Sequence, residues 1–409
     1  LRRSWPKIRC ELAERPLEMS AQKDNIVVVG GGLVGAATAL GLAAAGHNVT
    51  VVEGKAPERQ QGLLGVDIRS VAINPRSQML LERLGAWDET RTAPYDHMHV
   101  WEDRGCESID FHANELGRDQ LGWLVEMSRL VVGLWEKLAD RCERVVDTVD
   151  QVVLDQSVQL CMGSREIVCD FLIAADGGYS AIRRALAVPV VERAVGQVAL
   201  ATVVRTAGEH ENTAWQRFLL DGPLALLPCV EPDLVSIVWT QSASSAEARL
   251  QMSDAAFMRD LGVASEFCLG EIVEVDRRLV FPLRQQYIEQ PLVDNRVLFV
   301  GDAARLVHPL AGLGVNLGFE DVDALLAVAE SADTLCRPEI WRRYTRRRTQ
   351  RAKSMIRLFE GINQLYGTAD PGIALLRNWG VGAVNRARPV KHQIVREAMG
   401  LGPLADFSG

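Results

Sequence analysis

The chain has 409 residues, 48% of them hydrophobic and 24% charged, with a formal net charge of −8. That length suffices for two domains, and the acidic balance excludes a general nucleic-acid-binding surface. The eight cysteines are scattered, with no C-x-x-C pair. This argues against a zinc framework or a disulfide-built fold and for a reducing, cytoplasmic setting, and no metal ligands are identified. No stretch stays apolar for the length that a membrane-spanning helix requires.

Residues 1–22 are polar, basic and patternless, with Met19 shortly before the first strand. They read as a disordered extension, with 1–18 upstream of a natural start at Met19. Residues 25–29 form an apolar run of strand length. Gly30-Gly31-Gly32-Leu33-Val34-Gly35 follows, then a small-residue helix that stops at Gly46, then a second strand ending in Glu53. Strand, glycines, helix and an acid about 20 residues on make up the dinucleotide fingerprint. Gly30 permits the tight turn, Gly32 the backbone's approach to a pyrophosphate, and Gly35 close helix–strand packing. Glu53 is placed to accept from an adenosine ribose. This fingerprint does not choose between FAD and NAD.

Arg69 precedes the apolar-patterned stretch 71–84 and faces either a pyrophosphate or flavin edge, or solvent. Leu130, Leu134, Trp135 and Leu138 have helical spacing and read as core. Residues 171–174 are another buried-strand run, which delivers Asp176-Gly177-Gly178 and then Arg183. Arg183 either neutralises a phosphate or stabilises a helix by charge pairing. From 195 to 240 the texture changes to strand-like runs separated by Gly, Pro, Asp and Glu, a second and largely antiparallel domain.

The richest stretch is 297–323, VLFVGDAARLVHPLAGLGVNLGFEDVD. A short buried strand ends at Gly301-Asp302, so an acid sits at its carboxyl end, where open α/β sheets bind ligands. A loop holding Pro309, Gly312 and Gly314 leads into a helix opened by Val315 and Asn316. Unpaired N–H groups at such a helix start attract electron-rich groups. An acid for a hydroxylated chain and a helix end for a ring edge are what ribityl and isoalloxazine require. Beyond 323 the chain reads as helical. The basic run 341–353 is either a membrane-surface helix or a solvated face packed on the core.

Four stretches together resemble the class A flavoprotein aromatic hydroxylases, and in particular the ubiquinone-biosynthesis hydroxylases. They are GGGLVGAATALGLAAAGHNVTVVE, AADGGYSAIRRAL, TAWQRFLLDGPLALLP with LVSIVWT, and VLFVGDAARLVHPLAGLGVNLGFEDVDAL. The resemblance covers residues 25–401 and implies an α/β fold with three parts. A Rossmann-type FAD-binding domain spans 23–75, 98–190 and 280–345. An inserted antiparallel-sheet substrate domain takes 76–97 and 191–279, and a helical C-terminal region takes 346–409.

The resemblance also implies FAD as cofactor, held by Gly30, Gly32, Gly35 and Glu53 at its ADP half. Asp176, Gly177 and Arg183 would lie near the pyrophosphate, Asp302 on ribityl, Gly314, Val315 and Asn316 at the pyrimidine edge, and Pro309 near the ring. NAD(P)H would visit as a transient co-substrate, since no second dinucleotide fingerprint is present. The substrates implied are O2 and a prenylated phenol. Contacts with a quinone-biosynthesis complex, and peripherally with the inner face of a membrane, go with them. His308 is the candidate base for the phenol, the alternative being a structural histidine. Apolar lining is assigned to Leu226, Pro228, Trp239, Phe281 and Pro282, unless these are core.

The sequence departs from the family's usual pattern at Arg305, where His is common, and at Leu313 and Val131, where Gln is common. Two rival readings follow. A hydroxylase of a small soluble aromatic acid would need a pocket cation, for which Arg205 and Arg217 are the candidates. A non-catalytic scaffold would draw its support from the three departures.

Overall fold

A computed structural model describes residues 23–103, 105, 107–307, 313–366 and 387–402. The 1–22 extension, His308 and Pro309 lie outside the described residues, as does part of the 346–409 region.

Strands from both halves of the chain build a six-stranded sheet. Its order is Leu292–Val293, Val297–Phe299, Phe171–Ala174, Asn25–Val29, Asn48–Glu53 and Glu143–Val146. All neighbours are parallel except the edge strand Leu292–Val293. Such strands are buried on both faces and read as continuous apolar runs rather than alternations, which is why VLF and FLIA are fully buried. On one face the sheet packs against the helices Leu33–Ala44, Met127–Leu138 and Leu313–Glu330 around Leu40, Leu134 and Phe319. On the other it packs against a three-stranded antiparallel meander, 151–169, through Val158, Leu160 and Met162.

A nine-stranded, mostly antiparallel sheet forms the second layer system. Val191–Thr206 is its spine, pairing with Leu234–Ser242 on one side and Leu279–Tyr287 on the other. Three assignments change here. His97–Glu102 and Ile109–His112, expected in the cofactor-binding domain, join this sheet: the first pairs parallel to Thr213–Leu219, and the second pairs antiparallel to the first. Leu279–Tyr287 also belongs to it, although 280–345 was assigned elsewhere. The helix Pro75–Arg83, expected with the substrate domain, instead buries Leu80 and Leu81 in the core beneath the parallel sheet. In each case the deciding partner is far away in sequence, so local pattern carries no signal.

Alternation along the large sheet separates two faces. Leu226 and Trp239 point to the outer face, into a core shared with Trp215 and with Phe257 and Leu261 of the helix Asp254–Ala264. They are core rather than pocket lining. Pro228 pairs with Val235, which lies in that same core. Phe281 follows Val280, which packs on the outer core, and so faces the opposite side. That inner face carries Val203, Leu227 and Phe218, which meet Ala72, Leu124 and Leu317 of the cofactor-binding part.

The helix Pro338–Tyr366 explains the basic run. Arg348 and Arg351 are buried, paired with Glu320 and Asp321 of the helix Leu313–Glu330. The helix Arg388–Ala398 and the turn after it dock through Val395 and Met399 against Ala113 and Leu121. Among the described residues no helix is long and apolar enough to cross a membrane.

Candidate active site

Three turns leave three adjacent strands of the parallel sheet at their carboxyl ends. Ala175 N donates to Val29 O at 2.8 Å, and Val300 N donates to Ala174 O at 3.0 Å. The sheet itself therefore holds the turns at Gly30, Asp176 and Asp302 side by side. Gly30 has φ +106°, and a Cβ there would lie 2.3 Å from Ala175 O. Only glycine fits so close a crossing. A Cβ on Gly35 would lie 1.9 Å from Gly30 O, which fixes the helix start against the turn. Val34, inside the same motif, packs on the third turn, within 3.1 Å of a Cβ built on Gly301.

Glu53 accepts from Gly31 N at 2.5 Å, so the acid at the end of the second strand reaches the glycine turn. Asp176 accepts from Ile182 N through Oδ2 at 3.1 Å, while its Oδ1 is buried without a protein partner. A buried carboxylate oxygen left unmatched is costly unless a ligand group meets it. The open sides of Gly32, Gly177 and Gly314 meet no protein atom within 4 Å. Bare backbone at these three positions and an unmatched acceptor at Asp176 suit a pyrophosphate-bearing, hydroxylated cofactor laid across the turns.

Asp302 is solvent-exposed at the carboxyl end of its strand. Protein mass around it pushes its carboxyl up to about 6, with Arg305 pulling it down and Asp321 pushing it further up. Gly314 and Val315 lie in the first turn of the helix Leu313–Glu330, where backbone N–H groups have no intrahelical partner. Asn316 is buried and turned away to a structural task. Its Oδ1 accepts from Asn74 N at 2.9 Å and its Nδ2 donates to Ala72 O at 2.7 Å. Arg69 is exposed, its backbone N–H held by Asp67 Oδ1 at 3.0 Å.

Arg183 meets neither a helix acid nor solvent. It is buried, donating to Ala303 O at 2.9 Å and to Gly178 O at 2.7 Å. It therefore clamps the second turn to the third. Sequence reasoning missed two further groups. Gln286, from the large sheet, donates to the same Gly178 carbonyl at 2.6 Å, with its Oε1 buried and unpartnered. Asp321 Oδ2 accepts from Gly301 N at 2.9 Å and pairs with Arg305 Nη1 at 2.7 Å. Gln286 gave no signal because its strand was placed in the wrong sheet. The acids of GFEDVD were in view, but their cationic partners lie far along the chain. Val131, on Met127–Leu138, is half-buried against the main core.

A cleft of about 1000 Å³ bordered by Arg76, Arg83, Asp323, Arg343 and Arg396 includes none of the three turns. The strand ends, rather than this cleft, mark the site.

A family model described as an FAD-binding domain matches residues 23–358. The chain belongs to the FAD-binding domain family. Among its relatives is 3-demethoxyubiquinol 3-hydroxylase of Escherichia coli, 31% identical over 94% of this chain and 100% of that one. Another is the mitochondrial ubiquinone biosynthesis monooxygenase COQ6 of Danio rerio, 29% identical over 91% of this chain and 88% of that one. Two solved structures share the fold. p-Nitrophenol 4-monooxygenase PnpA from Pseudomonas putida has a TM-score of 0.74 at 19% identity, covering 93% of this chain and 99% of that one. Klebsiella pneumoniae HpxO complexed with FAD has a TM-score of 0.72 at 18% identity, covering 93% and 100%. The resemblance read from the four sequence stretches, and the α/β fold class it implied, are thereby confirmed. So is FAD as the cofactor of this member of the FAD-binding family.

Proposed function

We propose that this protein is an FAD-dependent monooxygenase that uses NAD(P)H and O2 to hydroxylate the ring of a prenylated phenol in ubiquinone biosynthesis. The observation that carries this reading is the end-to-end match to a 3-demethoxyubiquinol 3-hydroxylase in a chain whose three turns meet at adjacent strand ends. When bound, the flavin supplies the electron transfer from nicotinamide and the activation of oxygen. The chain's own residues bind, orient and exclude water. Gly30, Gly32 and Glu53 would hold the adenosine end. Asp176 and Gly177 would face the pyrophosphate, Asp302 the ribityl hydroxyls, and the N–H groups of Gly314 and Val315 the pyrimidine edge. The inner face of the large sheet, with Ala201, Ala225 and Phe281, is the apolar wall on which a ring and prenyl tail would lie.

The rival substrate class, a small aromatic acid, needs a free cation. Both candidates are engaged. Arg205 is held by Asp233 and Glu274 at 2.6 and 2.9 Å. Arg217 is held by Glu266 and Asp103 at 2.6 and 3.1 Å. The scaffold reading loses one of its supports, because Arg305 is part of a buried ion-pair network.

His308 remains the proposed base for the phenol oxygen, with Pro309 beside the ring. A His308→Ala variant that keeps an unchanged pH–rate profile would remove His308 from the mechanism. A peripheral membrane contact is also proposed. Leu358 and Leu365 on the helix Pro338–Tyr366, and Val390 and Ile394 on the helix Arg388–Ala398, are exposed by 41–52%. Apolar surface of this kind on amphipathic helices suits a lipid interface. Co-flotation with anionic vesicles, lost on changing these four to Ser, is the test.

The decisive assay for the main reading compares substrates on purified protein. NAD(P)H oxidation should be stimulated by a short-chain prenylphenol and not by a hydroxybenzoate. Flavin-free protein, or stimulation by the acid alone, overturns it.

A further inference from the structure

Three of the seven histidines lie within 16 residues of one another, on the two strands His97–Glu102 and Ile109–His112. The hairpin register pairs His97 with His112 and His99 with Asp110. Because side chains alternate across a strand, all four project from the same face. His97 Nε2 and His99 Nδ1 both approach one oxygen, Asp110 Oδ1, at 2.9 and 2.7 Å. The His97 and His112 rings stack at 4.1 Å. One ligand atom from each of His97, His99 and Asp110 lies within 4.8 Å of the others.

The hydrogen-bond bookkeeping around His97 is informative. Its Nδ1 lies 3.3 Å from Thr213 Oγ1, and that hydroxyl donates to Glu211 O at 3.1 Å. The other ring nitrogen, Nε2, is the one aimed at Asp110 Oδ1, a gap that a proton or a divalent cation can bridge. A ring nitrogen fixed by a hydroxyl, with the other nitrogen aimed at a carboxylate, is the arrangement that orients histidine on a metal.

We propose that His97, His99 and Asp110 bind one divalent d-block cation, of which zinc is the natural probe, with water completing the coordination. Imidazole and carboxylate donors suit such ions. Tetrahedral ligands at about 2.0–2.1 Å from zinc sit about 3.3 Å apart, so each histidine nitrogen need only draw back from Asp110 Oδ1 by about half an ångström, the two nitrogens themselves lying within 4.8 Å of each other. The side chains are 24%, 24% and 36% exposed, which leaves an entry path. The site is remote from the flavin chemistry. Trp215, which contacts the His99 ring at 5.2 Å, belongs to the outer core. Ile109–His112 is the terminal strand of the sheet, with a partner on one side only, so the cation would staple this edge strand to its hairpin partner His97–Glu102.

The test is calorimetric titration of zinc into the full-length, FAD-loaded protein. A single saturable site of micromolar affinity or better is expected, at least tenfold weaker in His99→Ala and in Asp110→Asn, with flavin content unchanged as the check on folding. Cobalt in place of zinc should give a spectrum without thiolate charge transfer. A measurement that needs no variant is diethyl pyrocarbonate modification of the unaltered protein, in which zinc should shield His97 and His99 but not His392. Absence of a saturable site, undiminished binding in both variants, a thiolate band, or modification unaffected by zinc would each overturn the proposal.

Discussion

Arg305 and Asp321 face each other in a buried ion pair, Nη1 to Oδ2 at 2.7 Å, directly behind the turn that carries Asp302. Arg348 adds a second guanidinium to Asp321 at 2.5 Å and reaches Glu320 at 2.9 Å, which Arg351 also holds at 3.1 Å. Removing one partner leaves the rest buried and uncompensated, at a cost of about 3–5 kcal/mol. Asp321→Asn should lose that much stability by denaturant unfolding and release FAD on dilution. Arg305→His, which restores the residue common in the family, should be milder because a protonated imidazole can still face Asp321.

The same network sets an acid limit. Burial raises the Glu320 and Asp321 carboxyls, but Arg348 with Arg351, and Arg305 with Arg348, overcome it and hold both below the ordinary range. Their folded values are depressed, so their contribution is complete above the unfolded carboxylate pKa of about 4 and is lost as pH falls through the folded values. Thermal melting followed from neutral pH downwards should show no loss from this network until about pH 4 and then a drop. In Asp321→Asn the drop should be shallower.

Asp302 carries the opposite sign. Its folded value of about 6 lies above the unfolded one of about 4, so the FAD-free protein loses stability as pH rises through that window. Asp302→Asn should remove this slope and raise the melting temperature of the flavin-free protein at neutral pH while weakening FAD binding. Melting curves at several pH values, with and without FAD, check both halves.

Gly30 and Gly32 should separate architecture from ligand. A methyl on Gly30 meets Ala175 O at 2.3 Å at φ +106°, whereas a methyl on Gly32 meets nothing of the protein, and Gly32 has φ −69°. Gly30→Ala should therefore unfold or express poorly. Gly32→Ala should fold with a near-normal melting temperature in the absence of flavin and bind FAD at least tenfold more weakly. Equal damage from both would contradict the open-side reading.

Arg183 is predicted to matter through geometry rather than charge. It bridges Gly178 O and Ala303 O. Charged hydrogen bonds of this kind contribute about 1.5–3 kcal/mol each. Arg183→Lys keeps the charge but cannot span both carbonyls. It should lose flavin occupancy nearly as severely as Arg183→Met, measured as the FAD-to-protein absorbance ratio.

The legible parts were those encoded locally. Continuous apolar runs ending in glycine or acid located the three turns, because a buried parallel strand and its exit need little beyond their own residues. The fingerprint named Gly30, Gly32, Gly35 and Glu53 for the same reason. What escaped depended on distant partners. Arg348 and Arg351 read as part of a surface charge run because Glu320 and Asp321 lie a helix away. His97 and His99 gave no metal signal because Asp110 and His112 join them only through strand pairing. Alternation showed that Leu226 and Phe281 sit on patterned strands, but which side meets the cofactor is decided by the other domain.

The helix Pro338–Tyr366 closes the Gly301 turn from behind. A chain that ends at Asp321 keeps Arg305 beside that acid but lacks Arg348 and Arg351, so Glu320 loses both of its cations. Such a truncation is expected to hold FAD less well although it keeps every glycine of the fingerprint.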